Sequence, residues 1–199
     1  MAVSMTTQNT VLGQLLPREG AARLAANLAT VVLGTLLLTV SAKINIPTWP
    51  VPVTLQTFAV AALAAAFGWR VGVATVALYI AQGMAGLPVF ATGGGAAYIF
   101  GPTGGFILAW LGMAYIIGRA ADSGLSGRPL PLLGWMIVAD IVSFAVGLAW
   151  LMIWLGQGDF AAAFAQAVQP FIVWDMLKMA FAAVTVAGLW TLLRRKPVA

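Results

Sequence analysis

An all-α integral membrane protein with six transmembrane helices and both termini in the cytoplasm is the fold class this sequence predicts. Three observations predict it: an almost charge-free composition, uncharged runs of spanning length, and one-sided placement of the basic residues. The 199 residues are 62% hydrophobic and only 8% charged, and the mean hydropathy is +0.99. Soluble domains carry about 25% charged residues, so this chain cannot cover a water-facing surface, and soluble and disordered classes are both excluded. A spanning helix takes about 20 apolar residues. The length therefore accommodates a single membrane domain over 1–199, with no room for a soluble catalytic domain.

The elements follow in order. Residues 1–19 are expected to form an N-terminal cytoplasmic tail. Nineteen uncharged residues lie between Arg23 and Lys43, enough for a first span over 24–42. Pro47, Pro50 and Pro52 cannot sit in a helix interior, so the second span is placed at 54–69, ending before Arg70. From Val71 to Gly118 there is no charge for 48 residues. That length holds two spans, 71–87 and 103–118, divided by the Gly/Pro-rich stretch GLPVFATGGGAAYIFGPTGG. A fifth span is expected at 132–155, a turn at Gly156–Asp159, and a sixth span at 170–193.

The basic residues fix the sidedness. Eight of the ten (Arg18, Arg23, Arg70, Arg119, Arg128, Arg194, Arg195 and Lys196) fall on one side of a six-span chain. Cytoplasmic loops are enriched in Lys and Arg, so that side is cytoplasmic, and only Lys43 and Lys178 are left over. Val40-Ser41-Ala42 has the look of a signal-peptide cleavage site. Signal cores are usually about 7–15 residues, shorter than this run, and cleavage would leave five spans and spoil the sidedness. The first helix is expected to be retained.

Cysteine and histidine are absent, which removes disulfides, Cys/His metal sites and the usual proton shuttle. No metal and no cofactor are expected. The basic residues do not cluster on a polar segment, so nucleic acid is not an expected partner. No Gly-x-x-x-x-Gly-Lys-Ser/Thr occurs, so the chain does not bind nucleotide by a phosphate loop. Two outer connections, 44–53 and 88–102, are long, and long loops on one face make lids and binding loops more often than mere joints.

Charges inside spans cost roughly 2.5–3.5 kcal/mol on insertion scales and mark function or pairing. Asp140 lies in the fifth span. Asp175 and Lys178 lie in the sixth, three residues apart and so on one helical face. Two readings of the pair stand: a salt bridge that lets the helix insert, or an acceptor and a donor facing a small ligand. Asp140 is open between a helix-packing contact and a part of the site. Ala21, Ala25 and Ala29, interleaved with Ala22 and Ala26, give the first span a small-residue spacing that permits close helix approach. This makes Ala21, Ala25 and Ala29 candidates for partner docking.

AKINIPTWPVPVTLQTFAV (42–60), YIAQGMAGLPVFATGGG (79–95), GPTGGF (101–106) and PFIVWDMLKMAFAA (170–183) together resemble the BioY family, the biotin-binding S components of energy-coupling factor (ECF) transporters. The resemblance covers about residues 20–195. It implies a substrate pocket near the outer face, closed by the first outer loop. It also implies biotin as ligand, a transmembrane coupling protein and ATP-binding-cassette ATPases as partners, and membrane lipid around the helices. On this reading Asp175 accepts a ureido N–H and Lys178 meets the carbonyl or the carboxylate of biotin. Trp49, Phe90 and Tyr98 form apolar walls, and Gln82 and Trp174 also border the pocket. Three positions depart from the commonest pattern: Val173-Trp174 replaces Pro-Gly before Asp175, and Gln82 stands where an acid is frequent.

The expected function is therefore biotin uptake as a non-enzymatic binding subunit in the cell membrane. Competing readings are a self-sufficient secondary transporter cycling a proton on Asp140 or Asp175, an S component for another vitamin, and an intramembrane enzyme limited to carboxylate chemistry.

Overall fold

The structure is a computed structural model, and it describes residues 9–11, 13, 21–156 and 158–194. Most of the expected N-terminal tail, and Arg195 and Lys196 of the basic C-terminal cluster, lie outside the described residues.

Helix α1 (Ala21–Lys43) is followed by a hairpin, β1 (Asn45–Ile46) against β2 (Val53–Thr54), then α2 (Gln56–Phe67) and α3 (Trp69–Met84). A short α4 (Ala96–Ile99) precedes α5 (Gly104–Asp122). A 3-10 turn, α6 (Pro129–Leu155), α7 (Phe160–Ala167) and α8 (Ile172–Arg194) complete the chain. α1, α5, α6 and α8 are long and apolar enough to cross a membrane. Each of these helices overlaps one of the stretches 24–42, 103–118, 132–155 and 170–193. Pro129 starts α6 at its first turn, where a missing N–H costs nothing, and so three residues earlier than expected.

The second and third spans differ from expectation. Instead of 54–69 and 71–87, the helices are Gln56–Phe67, 12 residues, and Trp69–Met84, 16 residues. At 1.5 Å per residue α2 is only about 18 Å long. Its shortness has two causes. At its front, residues 45–54 pair as an antiparallel hairpin with Asn45 opposite Thr54 and Ile46 opposite Val53. At its end, Gly68 turns the chain at φ 84°, a conformation open to glycine at little steric cost. The Asp122 side chain then accepts a hydrogen bond from the Trp69 N–H at 3.4 Å, satisfying one orphan donor of α3. α2 is also the innermost helix: Ala59, Val60, Ala61, Ala64 and Ala65 are fully buried. The small side chains let its neighbours close around it.

One further element, α7, was not expected from sequence. Gly156 closes α6 in the left-handed region, and the Asp159 carboxylate then caps α7 by accepting from the N–H groups of Ala161 and Ala162 at 2.9 and 3.1 Å. That cap, with Ala163 and Ala167 buried four residues apart, makes a helix of what the charge pattern shows only as a turn.

The connections segregate to two ends. Lys43 Nζ donates to the Phe90 carbonyl at 2.6 Å, and Trp150 Nε1 donates to the Gly101 carbonyl at 2.9 Å. These bonds hold the hairpin, the 85–103 loop and α6 together at one end. At the other end the Ser126 hydroxyl donates to the Ala65 carbonyl at 2.9 Å, drawing the 3-10 turn onto the end of α2. The main apolar core lies between α2, α3, α5, α6 and α8.

Candidate functional site

The inward face of α8 carries Asp175, Met179, Ala182, Val186 and Trp190, with Phe171 just before the helix on the same line, all buried, at the three- and four-residue spacing of one helical stripe. Asp175 is the one charged member, 1% exposed. Lys178 follows one turn later, its side chain 13% exposed, and its Nζ lies 2.6 Å from Asp175 Oδ1. Thr57, in the first turn of α2, donates its hydroxyl to the same Oδ1 at 2.7 Å and accepts from Lys178 Nζ at 3.3 Å. The three groups form a closed triangle. Asp175 Oδ2 receives no hydrogen bond from a described residue and remains an available acceptor.

This triangle faces a cavity of about 40 Å³, lined also by Val51, Pro52 and Thr54 of the hairpin, Phe106 and Trp110 of α5, and Asp140 and Ser143 of α6. A second cavity of about 30 Å³ shares Val51, Pro52, Thr54, Phe106 and Trp110, and adds Gln56, Tyr98 and Thr103. The hairpin thus covers both. Val51 is its plug, packed with Phe106, Leu151, Ala167 and Phe171. Above it, Ile44, Asn45, Ile46, Trp174 and Lys178 border an outer groove of about 200 Å³. A separate groove of about 700 Å³ runs along α6, α7 and α8, its lining apolar except for Asp140. With so few polar anchors to fix an orientation, it is a poorer ligand site than the polar cavity.

A buried polar chain supports the second cavity. Gln56 Nε2 donates to the Tyr79 hydroxyl at 2.7 Å, and that hydroxyl donates to the Val89 carbonyl at 2.9 Å. Tyr79 and Phe90 meet edge to face, and Phe90 stacks on Tyr98 at 4.8 Å. The Phe90 ring lies against Gly83, where any side chain would collide with it.

The residues singled out from sequence fall into three groups. Asp175 and Lys178 come together at the cavity. Tyr98 lines the smaller cavity, and Phe90 backs it through the Tyr98 ring without lining it. Trp174 borders only the outer groove, Trp49 stands 74% exposed at the hairpin tip, and the half-buried Gln82 lines none of these cavities. Thr57, Gln56, Tyr79, Phe106 and Trp110 were not anticipated. Thr57 and Gln56 stand inside the family-like segment 42–60, Tyr79 in 79–95 and Phe106 in 101–106, which is the one signal that could have found these four. On α1, Ala21, Ala25 and Ala29 are exposed while Ala26 is partly covered and Asn27 is buried. The first alanine register faces away from the bundle.

The sequence profile of the BioY family matches residues 6–195. The biotin transporter BioY2 of Lactococcus lactis subsp. cremoris (strain MG1363) is 34% identical over 165 residues, covering 82% of this chain and 88% of that protein. The biotin transporter BioY of Thermotoga maritima is 34% identical over 75% of this chain and 86% of its own length. The probable biotin transporter BioY of Pyrococcus horikoshii is 35% identical over 80% and 93%. In structure, the crystallised S-component for biotin from an ECF-type ABC transporter superposes with a TM-score of 0.77, covering 87% of this chain and 95% of that one at 24% identity; at that identity the likeness speaks to the fold. With a profile match across nearly its whole length and relatives 34–35% identical over about four fifths of it, the chain belongs to the BioY family.

Proposed function

We propose that this chain is a biotin-binding subunit of the cell membrane that takes up biotin together with an ATP-driven energising module. The observation that carries the reading is the Asp175–Lys178–Thr57 triangle, buried beneath the hairpin at the loop-rich end. Biotin offers two ureido N–H donors, a carbonyl, an apolar ring and chain, and a carboxylate. Asp175 Oδ2 suits a ureido N–H, and Lys178 suits the carbonyl or the carboxylate, since bonds to charged partners are the stronger ones. Phe106, Trp110 and Tyr98 supply apolar wall. Trp174 and Trp49 belong to the approach rather than to the floor, and Gln82 anchors the 85–103 loop, its carbonyl accepting from the Leu87 N–H at 3.1 Å.

The two cavities beneath the hairpin hold no more than a few waters each, so biotin enters by displacing Val51 and the rest of the hairpin. The hairpin is therefore the lid. We place six helices in the membrane, with the short α2 and α3 shielded by the four longer ones. Both termini then lie in the cytoplasm, with Arg23, Arg70, Arg119 and Arg128 at the same face. A transmembrane coupling protein docks on the exposed Ala21–Ala25–Ala29 register of α1, with two ATP-binding-cassette ATPases below it. Lipid covers the remaining apolar exterior.

The test is equilibrium binding of labelled biotin to the purified protein, with mass spectrometry of any molecule that co-purifies. Saturable biotin binding, competed by desthiobiotin and not by thiamine or riboflavin, is the expected result. Absence of biotin binding by a monodisperse sample would refute the reading. Uptake by the chain in cells lacking the ATPases, abolished by an ionophore, would instead favour a proton-coupled carrier.

A further inference from the structure

Asp140 is a second buried carboxylate at the site. It lies on α6, is 8% exposed, and lines the 40 Å³ cavity across from Asp175, Lys178 and Thr57. No described residue donates a hydrogen bond to it. Lys178 is held by Asp175 Oδ1 and by Thr57, and Ser143, one turn along α6 in the same cavity, donates no bond to Asp140. On its other side lies the apolar groove of α6, α7 and α8, in a helix apolar and long enough to cross the membrane. Hydrocarbon cannot donate a hydrogen bond, and a polar group left unsatisfied there is costly. A leucine at 140 would insert and pack with no such cost. What remains to satisfy the carboxylate is a donor brought in from the cavity side.

We propose that Asp140 is a specificity-determining ligand contact, the second N–H acceptor of the site. The inference rests on the biotin reading above. A ureido group carries two N–H donors that diverge on either side of its carbonyl, and the cavity offers two carboxylates on two of its walls, one from α6 and one from α8. One N–H goes to Asp175 Oδ2 and the other to Asp140. A ligand that lacks either donor leaves a buried carboxylate unpaired, and sites built to receive an N–H reject analogues without it more strongly than apolar pockets reject a missing methylene.

The test uses biotin and its two cyclic carbamate isosteres, in each of which one ureido N–H is replaced by a ring oxygen. They are titrated into detergent-solubilised parent protein, Asp140→Leu and Asp140→Asn, with monodispersity measured alongside. The parent should bind biotin and reject both isosteres by roughly a hundredfold or more. Asp140→Leu and Asp140→Asn should bind biotin about 10- to 100-fold more weakly. Asp140→Leu should also lose discrimination against one isostere and keep it against the other, which Asp175 still reads. A helix-packing role would alter yield and leave the discrimination pattern intact. Monodisperse variants that bind biotin and reject both isosteres as the parent does overturn the proposal and leave the biotin reading standing. A monodisperse parent that does not bind biotin overturns both.

Discussion

Asp175→Asn takes the charge from a carboxylate that is 1% exposed and holds two short hydrogen bonds on one oxygen, from Lys178 at 2.6 Å and Thr57 at 2.7 Å. An asparagine can keep its carbonyl oxygen toward Lys178 and Thr57. Its NH₂ then occupies the position of Oδ2 and presents a donor to a ligand donor. One charge-assisted bond to the ligand is lost, worth about 1.5–3 kcal/mol, and each 1.4 kcal/mol is about tenfold in affinity. Biotin binding should therefore weaken by roughly 10- to 100-fold or more in this variant. Lys178→Met should do the same by leaving Asp175 under-compensated. Calorimetric titration together with size-exclusion profiles of Asp175→Asn, Lys178→Met and the double variant Asp175→Leu/Lys178→Met separates binding from folding. If the pair serves only to let α8 insert, the double variant, with no charge left to bury, should recover yield and bind normally. If the pair binds ligand, the double variant recovers yield and stays defective. Well-folded single variants with parental affinity would refute the site.

Four further outcomes follow from the fold. A spin label at Trp49, which is exposed at the hairpin tip, should lose mobility when biotin is added; Thr48 is a poorer site because its hydroxyl holds the Val51 carbonyl at 2.6 Å. Unchanged mobility at saturating ligand would make the hairpin a fixed connector. Ala25→Leu should keep biotin affinity, since Ala25 is exposed, and abolish co-purification with the coupling protein. Single cysteines at Ser4 and Val198, both outside the described residues, should resist an impermeant thiol reagent in intact cells; labelling of either would overturn the cytoplasmic assignment. Gly83→Val should collide with the Phe90 ring and lower the thermal midpoint, as overpacking typically costs about 1–3 kcal/mol.

The long helices were legible because a bilayer imposes its thickness on the sequence. Runs such as 24–42 and 132–155 need only be counted. α2 escaped that count because it is shielded by protein, and its ends are set by hairpin pairing and by Gly68 rather than by a change in polarity. α7 was hidden for a similar reason: eight residues leave no spanning signal, and its cap, Asp159, reads as one more loop charge. At the site, Asp175 and Lys178 could be paired from their spacing because one helix carries both. Thr57 lies 118 residues from Asp175, and no local pattern reports such a contact. The same holds for Gln56 and Tyr79, whose bond joins two helices. Composition does not place aromatic residues, because ring-bearing side chains fit a pocket wall, a loop tip or an interface equally well. Trp49 and Tyr98 illustrate the divergence.

Lys43 was one of two basic residues left over when charge was assigned to the cytoplasmic side. Lys43 stands two residues before the hairpin, and its ammonium is fastened to the Phe90 carbonyl, one residue beyond the Val89 carbonyl that Tyr79 holds. The hairpin and the 85–103 loop are consequently one mechanical part. Raising the hairpin either breaks that bond or pulls on Phe90, whose ring is stacked on Tyr98 at the wall of the cavity. Any opening of the hairpin would thus loosen the wall in the same movement, and residues outside the hairpin, Gln56 and Tyr79 among them, set how stiffly it resists.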